Sequence, residues 1–444
     1  MNIPGKQTIL LCTIGSAGDV NPFIGIGQNL IKRGFRVVLI TSQYFESQAC
    51  SAGLEFFGLG SSEDYQSIIQ DPDLWDPKKG FKVFAEQVVF PIMEPAYEII
   101  AGFDPSKTIL VAQGQFFAAH IAHEKFGFPF ITIHLQPAAF RSVYEFPLSP
   151  VSLPPLVIRG LFSLIDALVL DRLFAPQINH FRQRLNLPPV KKVFGSWMHS
   201  PQKTLGLFPD WFARLQPDWP PQTQLTSFVY YDKQSGNEDF PDRLEEFIRA
   251  GSPPIVFTAG TAMKHADQFF LDCIEACQLL DQRGILLTQH PEQLPDELPQ
   301  GIQQFAYLPF SKLLPRARAL VHHGGIGTTA QAIAAGIPQV IRPMAHDQPD
   351  TAARVEKLGI GASLSPDKFN AVSLAEKIKI LITSQVVLDL CKAYAERIDP
   401  DESLNETCTI IETFSRLSIS PGTASSAGII HREGRTARDF TSRG

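Results

Sequence analysis

The sequence lacks the features that nucleic-acid-binding, membrane-spanning and secreted proteins carry. It has no basic block and a formal net charge of −6, whereas a duplex nucleic acid requires clustered Lys and Arg. No run reaches the ~20 uninterrupted apolar residues of a membrane-spanning helix. The N-terminus, MNIPGKQTILLCTIG, lacks the charged start and cleavage site of a signal peptide. These absences predict a cytoplasmic protein that does not bind nucleic acid.

Cysteine is scarce, with six residues in 444 and no C-x-x-C pair. Cys273 and Cys277 are four positions apart, which places them on one face of a predicted helix. Because no second pair accompanies them, buried free thiols are favoured over a zinc site. Scattered cysteines also fit a reducing compartment.

The nearest approach to a long apolar run is VSLPPLVIRGLFSLIDALVL, residues 151–170. Two prolines, Arg159 and Asp166 interrupt it. We interpret this segment as a buried or semi-exposed helix. The alternative is an apolar lip around a substrate or at a membrane surface, so peripheral membrane contact stays open.

Short apolar runs alternate with helical patterns along most of the chain. KQTILLCTI, FRVVLITS, TILVAQG and FITIHLQ predict buried strands, with helices between them. Prolines and aromatic residues interrupt the alternation from about 137 to 221, and it restarts at PPIVFTAG. This pattern predicts two α/β domains, each built on a parallel sheet covered on both faces.

The stretch ALVHHGGIGTTAQAIAAGIPQ, residues 319–339, combines reactive side chains with glycine at a strand-to-helix turn. The first N–H groups of a helix attract anions, and glycines let a phosphate approach the backbone. The threonines add hydroxyl donors, and two histidines stand at the strand end. Together these residues suit a diphosphate. A tight turn with a helix cap would explain the glycines but not the histidines.

Two common nucleotide-binding motifs are missing. The sequence has no G-x-x-x-x-G-K-[ST] run. A G-x-G-x-x-G motif begins at Gly25-Ile26-Gly27, but it lies inside a predicted helix and has Leu30 in its last position. The sequence therefore supports neither a P-loop ATPase nor a conventional NAD enzyme.

The segment HHGGIGTTAQAIAAGIPQVIRPMAHDQPDTAARVEKLGIG resembles the donor-binding motif of family 1 glycosyltransferases, which include natural-product and sterol glucosyltransferases. TIGSAGDVNPFIGIGQNLIKRGFRV resembles the start of their acceptor domain. The segments DPDLWDPK, IAHEKFG, WMHSPQ, LFPDWF and AHDQPD are similar to the rhamnosyltransferase B chains of rhamnolipid synthesis. The resemblance extends to about residue 415.

This resemblance implies a GT-B fold, in which two Rossmann-like domains face each other across a cleft. It places an acceptor-binding domain at 1–215, a linker at 216–250 and a nucleotide-sugar-binding domain at 251–395. A C-terminal helix at 396–418 would cross back to the first domain. Residues 419–444 are predicted to form a flexible tail.

The resemblance also implies which residues bind the sugar donor. His323 aligns with the family's phosphate-contacting histidine, and His322 is a second candidate. Asp347 and Gln348 match the pair that binds the sugar hydroxyls. The other predicted phosphate contacts are Thr261, Gly325, Gly327 and Thr328.

Three departures from the plant pattern lie among the predicted nucleoside-binding residues. Tyr307 stands where plant enzymes stack a Trp on the base, and Phe310 replaces the Gln that follows. Gln331 replaces a Glu that binds both ribose hydroxyls. Because deoxythymidine lacks the 2′ hydroxyl, Gln331 is compatible with a dTDP-sugar as the donor. This favours dTDP-rhamnose over UDP-glucose as the donor.

Asp19, in GSAGDVNP, occupies the place where many relatives carry a catalytic histidine. A carboxylate there could take the acceptor's proton if a poorly solvated cleft raises its pKa. From the residues alone, a helix-start residue stabilised by the dipole is the simpler interpretation. The Asp that orients the histidine in plant relatives aligns with Ala112, so an aspartate acting directly replaces a His–Asp dyad.

No metal or other cofactor is expected. Asp71-Pro72-Asp73 and Asp399-Pro400-Asp401 have the D-x-D spacing of a metal-diphosphate motif from another glycosyltransferase architecture. We interpret both as exposed turns away from the donor motif. Inversion at the anomeric carbon then follows from a single direct displacement.

The sequence thus predicts an inverting hexosyltransferase that uses a dTDP- or UDP-sugar. The acceptor is expected to be apolar, first a hydroxy-fatty-acid lipid and otherwise a sterol, carotenoid or polyketide, because many of the 33 Phe residues lie between 81 and 212. The alternatives are a sugar-nucleotide epimerase and a non-catalytic nucleotide-sugar- or lipid-binding partner. The expected location is cytoplasmic, with contact at the inner face of the membrane left open.

Overall fold

A computed structural model describes residues 7–145, 153–231, 240–261 and 263–419. The predicted tail therefore lies, from residue 420 onward, outside the described residues. The described chain forms two domains, each built around one parallel sheet with helices on both faces. This confirms the predicted α/β class and the two Rossmann-like units.

The first sheet has seven strands: β1 (Thr8–Cys12), β2 (Arg36–Ser42), β3 (Glu55–Leu59), β4 (Thr108–Gln113), β5 (Phe130–His134), β6 (Lys203–Gly206) and β7 (Thr223–Leu225). They pair in parallel in the order β3-β2-β1-β4-β5-β6-β7. Every residue of β1, β4 and β5 is buried, because helices cover both faces of the sheet. The continuous apolar runs in the sequence reflect this double coverage.

Eight helices accompany this sheet: α1 (Ala17–Lys32), α2 (Glu46–Ser51), α3 (Ser62–Gln70), α4 (Gly80–Val83), α5 (Phe90–Ala101), α6 (Phe117–Phe126), α7 (Pro155–Ile165) and α8 (Asp171–Arg184). Three π-helical turns extend or follow them, at Phe84–Val89, Asp166–Leu170 and Val193–Trp197. The region from 137 to 221, predicted as an irregular insertion, therefore contains regular helices and strand β6.

The second sheet has six parallel strands: β8 (Ile255–Thr258), β9 (Gly284–Leu287), β10 (Ile302–Phe305), β11 (Ala319–His322), β12 (Gln339–Ile341) and β13 (Gly361–Ser363). Their order is β10-β9-β8-β11-β12-β13. The helices of this half are α9 (Asp242–Arg249), α10 (Asp267–Leu280), α11 (Phe310–Leu313), α12 (Ile326–Ala334), α13 (Gln348–Leu358), α14 (Ala371–Thr383) and α15 (Gln385–Ala395), and α16 (Pro400–Ile419) follows them in the chain.

Both domains extend into the predicted linker at 216–250. Strand β7 pairs with β6, so the first sheet continues to Leu225 and past the predicted boundary at 215. Leu244 of α9 packs into the second domain's core beside Val256 and Ile285. Proline-rich composition does not reveal this strand pairing.

Helix α16 crosses back to the first domain. Cys408 and Ile411 are buried in the same core cluster as β1 and α1. The Arg33 guanidinium donates to the carbonyl of Asn405 at 2.9 Å and to the Glu412 carboxylate at 3.1 Å. The Ser415 hydroxyl donates to Gln7 Oε1 at 2.7 Å. The last helix is therefore part of the first domain's fold.

The segment predicted as a buried or semi-exposed helix is α7 together with the π-helical turn that follows it. Ile158 and Leu170 point into the protein, whereas seven large apolar side chains of this segment are exposed: Leu156, Val157, Leu161, Leu164, Ile165, Leu168 and Val169. Across the described residues, no helix combines the length and apolar character needed to cross a bilayer.

Candidate active site in the cleft between the domains

A cavity of about 820 Å³ lies between the two domains. Its walls include the turns that follow β1 to β5 in the first domain and β8 to β12 in the second. Ligands of open parallel sheets bind beyond the carboxyl ends of the strands. The cavity is therefore the candidate functional site.

Asp19 lies on the first-domain wall at the start of α1. Ser16 caps this helix, and its backbone N–H donates to Asp19 Oδ2 at 2.9 Å, which completes a capping box. Gly15 has a φ of +119°, and a Cβ there would collide with the Asp19 carboxylate. The helix-start interpretation of Asp19 is thus correct, and the same geometry presents the carboxylate to the cavity.

Burial raises the pKa of the Asp19 carboxyl to about 6, although hydrogen bonds from Ser16 and Gln113 act in the opposite direction. The carboxylate is therefore mostly ionised at pH 7, and its proton affinity is well above that of a solvent-exposed aspartate. A carboxylate with a pKa near the working pH is suited to act as a general base.

Gln113, which the sequence did not predict as a site residue, ends β4 beside β1. Its Nε2 donates to Asp19 Oδ1 at 3.1 Å. Ala112, which aligns with the orienting aspartate of relatives, is fully buried within the sheet. The contact with the candidate base thus comes from the next residue along the strand.

The two adjacent histidines of the glycine-rich stretch have different environments. Gly324 N–H donates to His322 Nδ1 at 3.1 Å, so the ring proton sits on Nε2, which donates to Gln339 Oε1 at 2.9 Å. His322 is fully buried and does not line the cavity. The prediction that His322 contacts the diphosphate is therefore corrected, because successive residues at a strand end point to opposite sides.

His323 lines the cavity, with its ring between two glycines. A Cβ added at Gly260 or at Gly325 would come within 2.6 Å of the imidazole. Burial lowers the pKa of His323 to about 4, so the ring is neutral at pH 7. Its Nδ1 is buried and has no hydrogen-bond partner among the described residues. A neutral imidazole at the cavity wall can hydrogen-bond a ligand.

The start of α12 completes an anion cradle, which we define as Thr261, His323, Gly325, Gly327 and Thr328. All five line the cavity; Gly325 is the N-cap of α12, and Thr261 lies on the loop after β8. The first N–H groups of α12 have no partner within the helix. Together with the helix dipole they favour a negatively charged group at this wall.

Asp347 and Gln348 also line the cavity, at the start of α13. Burial, and secondarily the charge of Asp19, raises the pKa of Asp347 to about 7. Gln348 Oε1 accepts from the N–H groups of Met344 and Ala345, at 2.8 and 3.3 Å. The Gln348 oxygen therefore stabilises the loop before α13. Of the two residues, Asp347 is the better candidate to accept hydrogen bonds from sugar hydroxyls.

The predicted nucleoside residues lie on the same second-domain wall. Tyr307 follows β10, Phe310 begins α11 and Gln331 lies on α12, and all three line the cavity. Tyr307 is 41% exposed, so an aromatic face is present at the wall. An aromatic ring in this position can stack on a base.

His346 links the two domains beside the cavity, a contact that the sequence did not predict. Its Nε2 donates to the Leu74 carbonyl at 3.0 Å, and its ring packs edge-on against Trp75 and Phe81. The turn that follows Asp71 is therefore close to the second domain, contrary to the prediction that this D-x-D segment lies away from the donor half.

The D-x-D aspartates have local roles. Asp71 Oδ1 accepts from Asp73 N–H, and Asp399 Oδ1 accepts from the N–H groups that begin α16. Cys273 and Cys277 are buried free thiols on α10, as predicted. Among the residues that the structure describes, no group of three or more His, Cys, Asp or Glu could hold a metal ion.

The first-domain side of the cavity is largely apolar. Each π-helical turn contributes a large side chain to this wall, namely Phe84, Leu170 and Phe194. Other apolar lining residues are Leu59, Ile68, Ile69, Leu74, Trp75, Phe81, Val88, Ile92 and Met198. The first domain thus contributes most of the cavity's large apolar side chains, which we call the apolar half of the cavity, beside polar ones such as Asp19 and Arg141.

Comparisons with known proteins agree with this two-part site. Residues 9–145 match the glycosyltransferase family 28 N-terminal domain, and residues 274–405 match the erythromycin biosynthesis protein CIII-like C-terminal domain. Two facing parallel-sheet domains define the GT-B architecture. The chain carries both of these glycosyltransferase domains, and its fold is that of the GT-B glycosyltransferases.

Among sequence relatives, O-mycaminosyltylonolide 6-deoxyallosyltransferase of Streptomyces fradiae is 28% identical over 431 residues, covering 92% of this chain and 97% of the relative. A sterol 3-beta-glucosyltransferase of Arabidopsis thaliana is 29% identical over 86% of this chain, which spans 62% of that longer protein. These matches do not distinguish rhamnosyl donors, so the likeness to rhamnosyltransferase B chains stays a prediction.

Among solved structures, the glycosyltransferase of kitacinnamycin superposes with a TM-score of 0.71, at 18% identity, covering 93% of this chain and 100% of the other. Glycosyltransferase VinC in complex with dTDP superposes with a TM-score of 0.64, at 17% identity, covering 92% and 100%. At this level of identity the likeness supports the fold.

Proposed function

We propose that this chain transfers a hexose from a dTDP- or UDP-sugar to a hydroxyl group of an apolar, lipid-like or natural-product acceptor, with inversion of the anomeric carbon. One observation carries the proposal: a single cavity presents the Asp19 carboxylate from one domain and the anion cradle from the other. A direct displacement needs these two groups on opposite sides of the transferred sugar.

In the proposed reaction the acceptor hydroxyl gives its proton to Asp19 as its oxygen attacks the anomeric carbon. The new C–O bond forms while the bond from that carbon to the diphosphate oxygen breaks. The electron pair of the broken bond stays on the diphosphate, where the first N–H groups of α12 and the neutral His323 stabilise the added charge. Asp347 would position the sugar hydroxyls. No metal or other cofactor is part of this proposal.

Two features support dTDP over UDP as the nucleotide. Gln331 lines the cavity where a ribose-binding glutamate would otherwise accept from two hydroxyls. VinC, one of the structural neighbours, is described in complex with dTDP. Tyr307 would stack on either base, so it does not separate the two nucleotides. Isothermal titration of the purified protein with dTDP and with UDP tests the choice directly.

The apolar half of the cavity supports an apolar acceptor. These apolar side chains favour a separate acceptor over a sugar-nucleotide epimerase, because an epimerase acts on the sugar ring and needs no apolar acceptor pocket. The two relatives described above are named for a tylonolide and for sterols. By the sequence resemblance, a hydroxy-fatty-acid lipid is the first choice, and a sterol, carotenoid or polyketide is the second.

We also propose that the first domain contacts the surface of a lipid bilayer through α7. The exposed side chains from Leu156 to Val169 form an apolar face, while Leu170 at the end of the same segment lines the cavity. An acceptor dissolved in a bilayer could then enter the apolar half from that side. The proposed location is the cytoplasm, at the inner face of the membrane.

The decisive experiment replaces the candidate base. Asp19→Asn keeps an oxygen for the capping box but removes the basic carboxylate, so we expect transfer to fall ~10²–10⁴-fold with nucleotide affinity nearly unchanged. The rate is measured by mass spectrometry of the product, and the affinity by titration calorimetry.

Asp64 provides a matched control for this substitution. It closes a capping box with Ser61 at the start of α3, as Asp19 does with Ser16, and it also lines the cavity. Asp64→Asn should therefore weaken a helix capping box, as Asp19→Asn does, without removing the candidate base. An Asp19→Asn enzyme as active as the Asp64→Asn enzyme would disprove the base assignment. Sugar epimerisation without an acceptor would instead support the epimerase.

A further inference from the structure

The amide of Gln113 has only one orientation that its neighbours allow. Its Oε1 accepts from the backbone N–H of Ile14 at 3.1 Å and lies 3.0 Å from the Thr13 hydroxyl. A backbone N–H can only donate, so the oxygen must face Ile14 and the NH₂ group must face away from it. The Gln113 side chain is almost completely buried, so solvent offers it no competing partner.

In this orientation the NH₂ group of Gln113 faces Asp19. Nε2 donates to Oδ1 of the carboxylate at 3.1 Å, while Oδ2 accepts from the Ser16 N–H at 2.9 Å. Each carboxylate oxygen therefore has its own donor, one from α1's cap and one from β4. A carboxylate held through both oxygens cannot rotate about its χ angles without losing a charge-assisted hydrogen bond.

We infer that Gln113 is a positioning residue, which holds the Asp19 carboxylate in the orientation that accepts a proton from the acceptor hydroxyl. The inference rests on the proposed role of Asp19 as the base. It differs from an orienting carboxylate, because a neutral amide donates to the base and stabilises its charged form, whereas a second carboxylate would disfavour that form.

The other titratable groups around Asp19 do not duplicate this role. Tyr65 of α3 and Asp347 of the second domain are close enough for the charge of Asp19 to raise their pKa values. Neither makes a hydrogen bond to Asp19 within the described part of the chain. A negative Asp347 would raise the proton affinity of Asp19, in opposition to the Gln113 amide.

Two substitutions at Gln113 separate positioning from mere structural support. Gln113→Leu removes the donor and should lower kcat ~10- to 100-fold, the range for a lost hydrogen bond to a charged group. Because the Gln113 amide lowers the pKa of Asp19, its loss should move the acid limb of the kcat/KM profile to higher pH. Gln113→Glu keeps the shape but places a like charge beside Asp19, and should move the limb further.

Thr132→Val is the matched control. Thr132 lies beside Ala112 on the neighbouring strand, and its buried hydroxyl accepts from Ser200 N–H at 2.8 Å. Like the Gln113 variants, Thr132→Val loses a buried hydrogen bond of a strand residue in the first sheet. Thr132 itself does not contact Asp19. It should lower the melting temperature about as much as Gln113→Leu does while leaving the pH profile unchanged.

The outcomes distinguish this inference from the proposed function. If Asp19→Asn is inactive and the Gln113 variants show the wild-type rate and pH profile, Gln113 does not position the base, although Asp19 is the base. If Asp19→Asn retains full activity, the base assignment itself fails. If the Gln113→Leu enzyme is slower but the acid limb of its kcat/KM profile does not move, the inference is also overturned. Loss of structural support alone would then explain the lower rate.

Discussion

At the scale of single residues, Asp19 has two duties in the fold. It closes the capping box of α1 through Oδ2, and it faces the cavity as the candidate base. These duties do not conflict, because a carboxylate has about four acceptor sites and the described contacts use only some of them. A residue that caps a helix can therefore also act as a general base. A local sequence pattern does not decide between these two roles.

The raised pKa of Asp19 predicts the pH dependence of transfer. The base must be ionised, and burial raises its pKa to about 6, so kcat/KM should be lost as the pH falls through about 6. An unshifted aspartate would lose activity only near pH 4. His323, with its pKa lowered to about 4, stays neutral through this window. The measurement is kcat/KM from about pH 4.5 to 8, and a constant value down to about pH 4.5 would contradict it.

The two histidines predict opposite phenotypes. His323→Ala removes a ring that lines the cavity, so it should lower kcat/KM ~10²-fold or more with little change in stability. His322→Ala leaves Gln339 and the Gly324 N–H without their buried partner, which should cost ~1–3 kcal/mol of folding free energy. Steady-state kinetics and thermal melting of both variants give the comparison. A stable, fully active His323→Ala enzyme would argue against the anion cradle.

The sequence identified only part of the cavity's polar lining, mainly on the second domain, and could not assign every side chain. A motif of two adjacent histidines indicates that one of them faces the ligand, but it does not say which one. The hydrogen bond between His322 and Gln339 shows that His322 faces away from the ligand. Gln113 escaped prediction because its contact with Asp19 joins positions 94 residues apart. His346 escaped for the same reason, since its partner Leu74 lies in the other domain.

At the scale of elements, glycines decide whether the loops of the anion cradle can form. Gly260→Ala should abolish donor binding, because the added methyl would lie 2.6 Å from the His323 ring and the backbone there has a φ of +93°. Gly160→Ala on α7 is the control, because its Cβ would meet no atom within 4 Å. Nucleotide titration of both variants tests the prediction, and normal binding by Gly260→Ala would contradict it.

The strands were predictable, and the apolar wall was predictable only as a concentration of Phe residues between 81 and 212. Buried runs such as TILLC and TILVA have little alternative to a central parallel strand, because all their residues are apolar or small enough to be covered on both faces. The π-helical turns that carry Phe84, Leu170 and Phe194 have no sequence signature. Each depends on packing against the neighbouring helices, which local composition does not encode.

At the scale of the whole molecule, the exposed face of α7 predicts membrane binding. Replacing Leu161, Leu164 and Leu168 together with Glu should reduce co-sedimentation with phosphatidylcholine vesicles several-fold, because the face loses apolar area and gains charge. Activity on a short water-soluble acceptor should not change.

Leu279→Glu on α10 serves as the control, because this side chain is equally exposed but lies on the second domain. Analytical ultracentrifugation completes the test. If wild-type protein forms a dimer that the triple variant dissolves, and vesicles bind neither, then the α7 face contacts a second copy of the chain and not a bilayer.

The return of α16 has a consequence for the topology of the chain. Ser415 and Gln7 are joined by a hydrogen bond of 2.7 Å, so the beginning and end of the described chain meet on the same domain. In topological terms the donor half is an insert within the acceptor half. A circular permutant that links residues 7 and 415 through a short peptide should fold. Fluorophores attached near both positions should show efficient energy transfer in the folded protein.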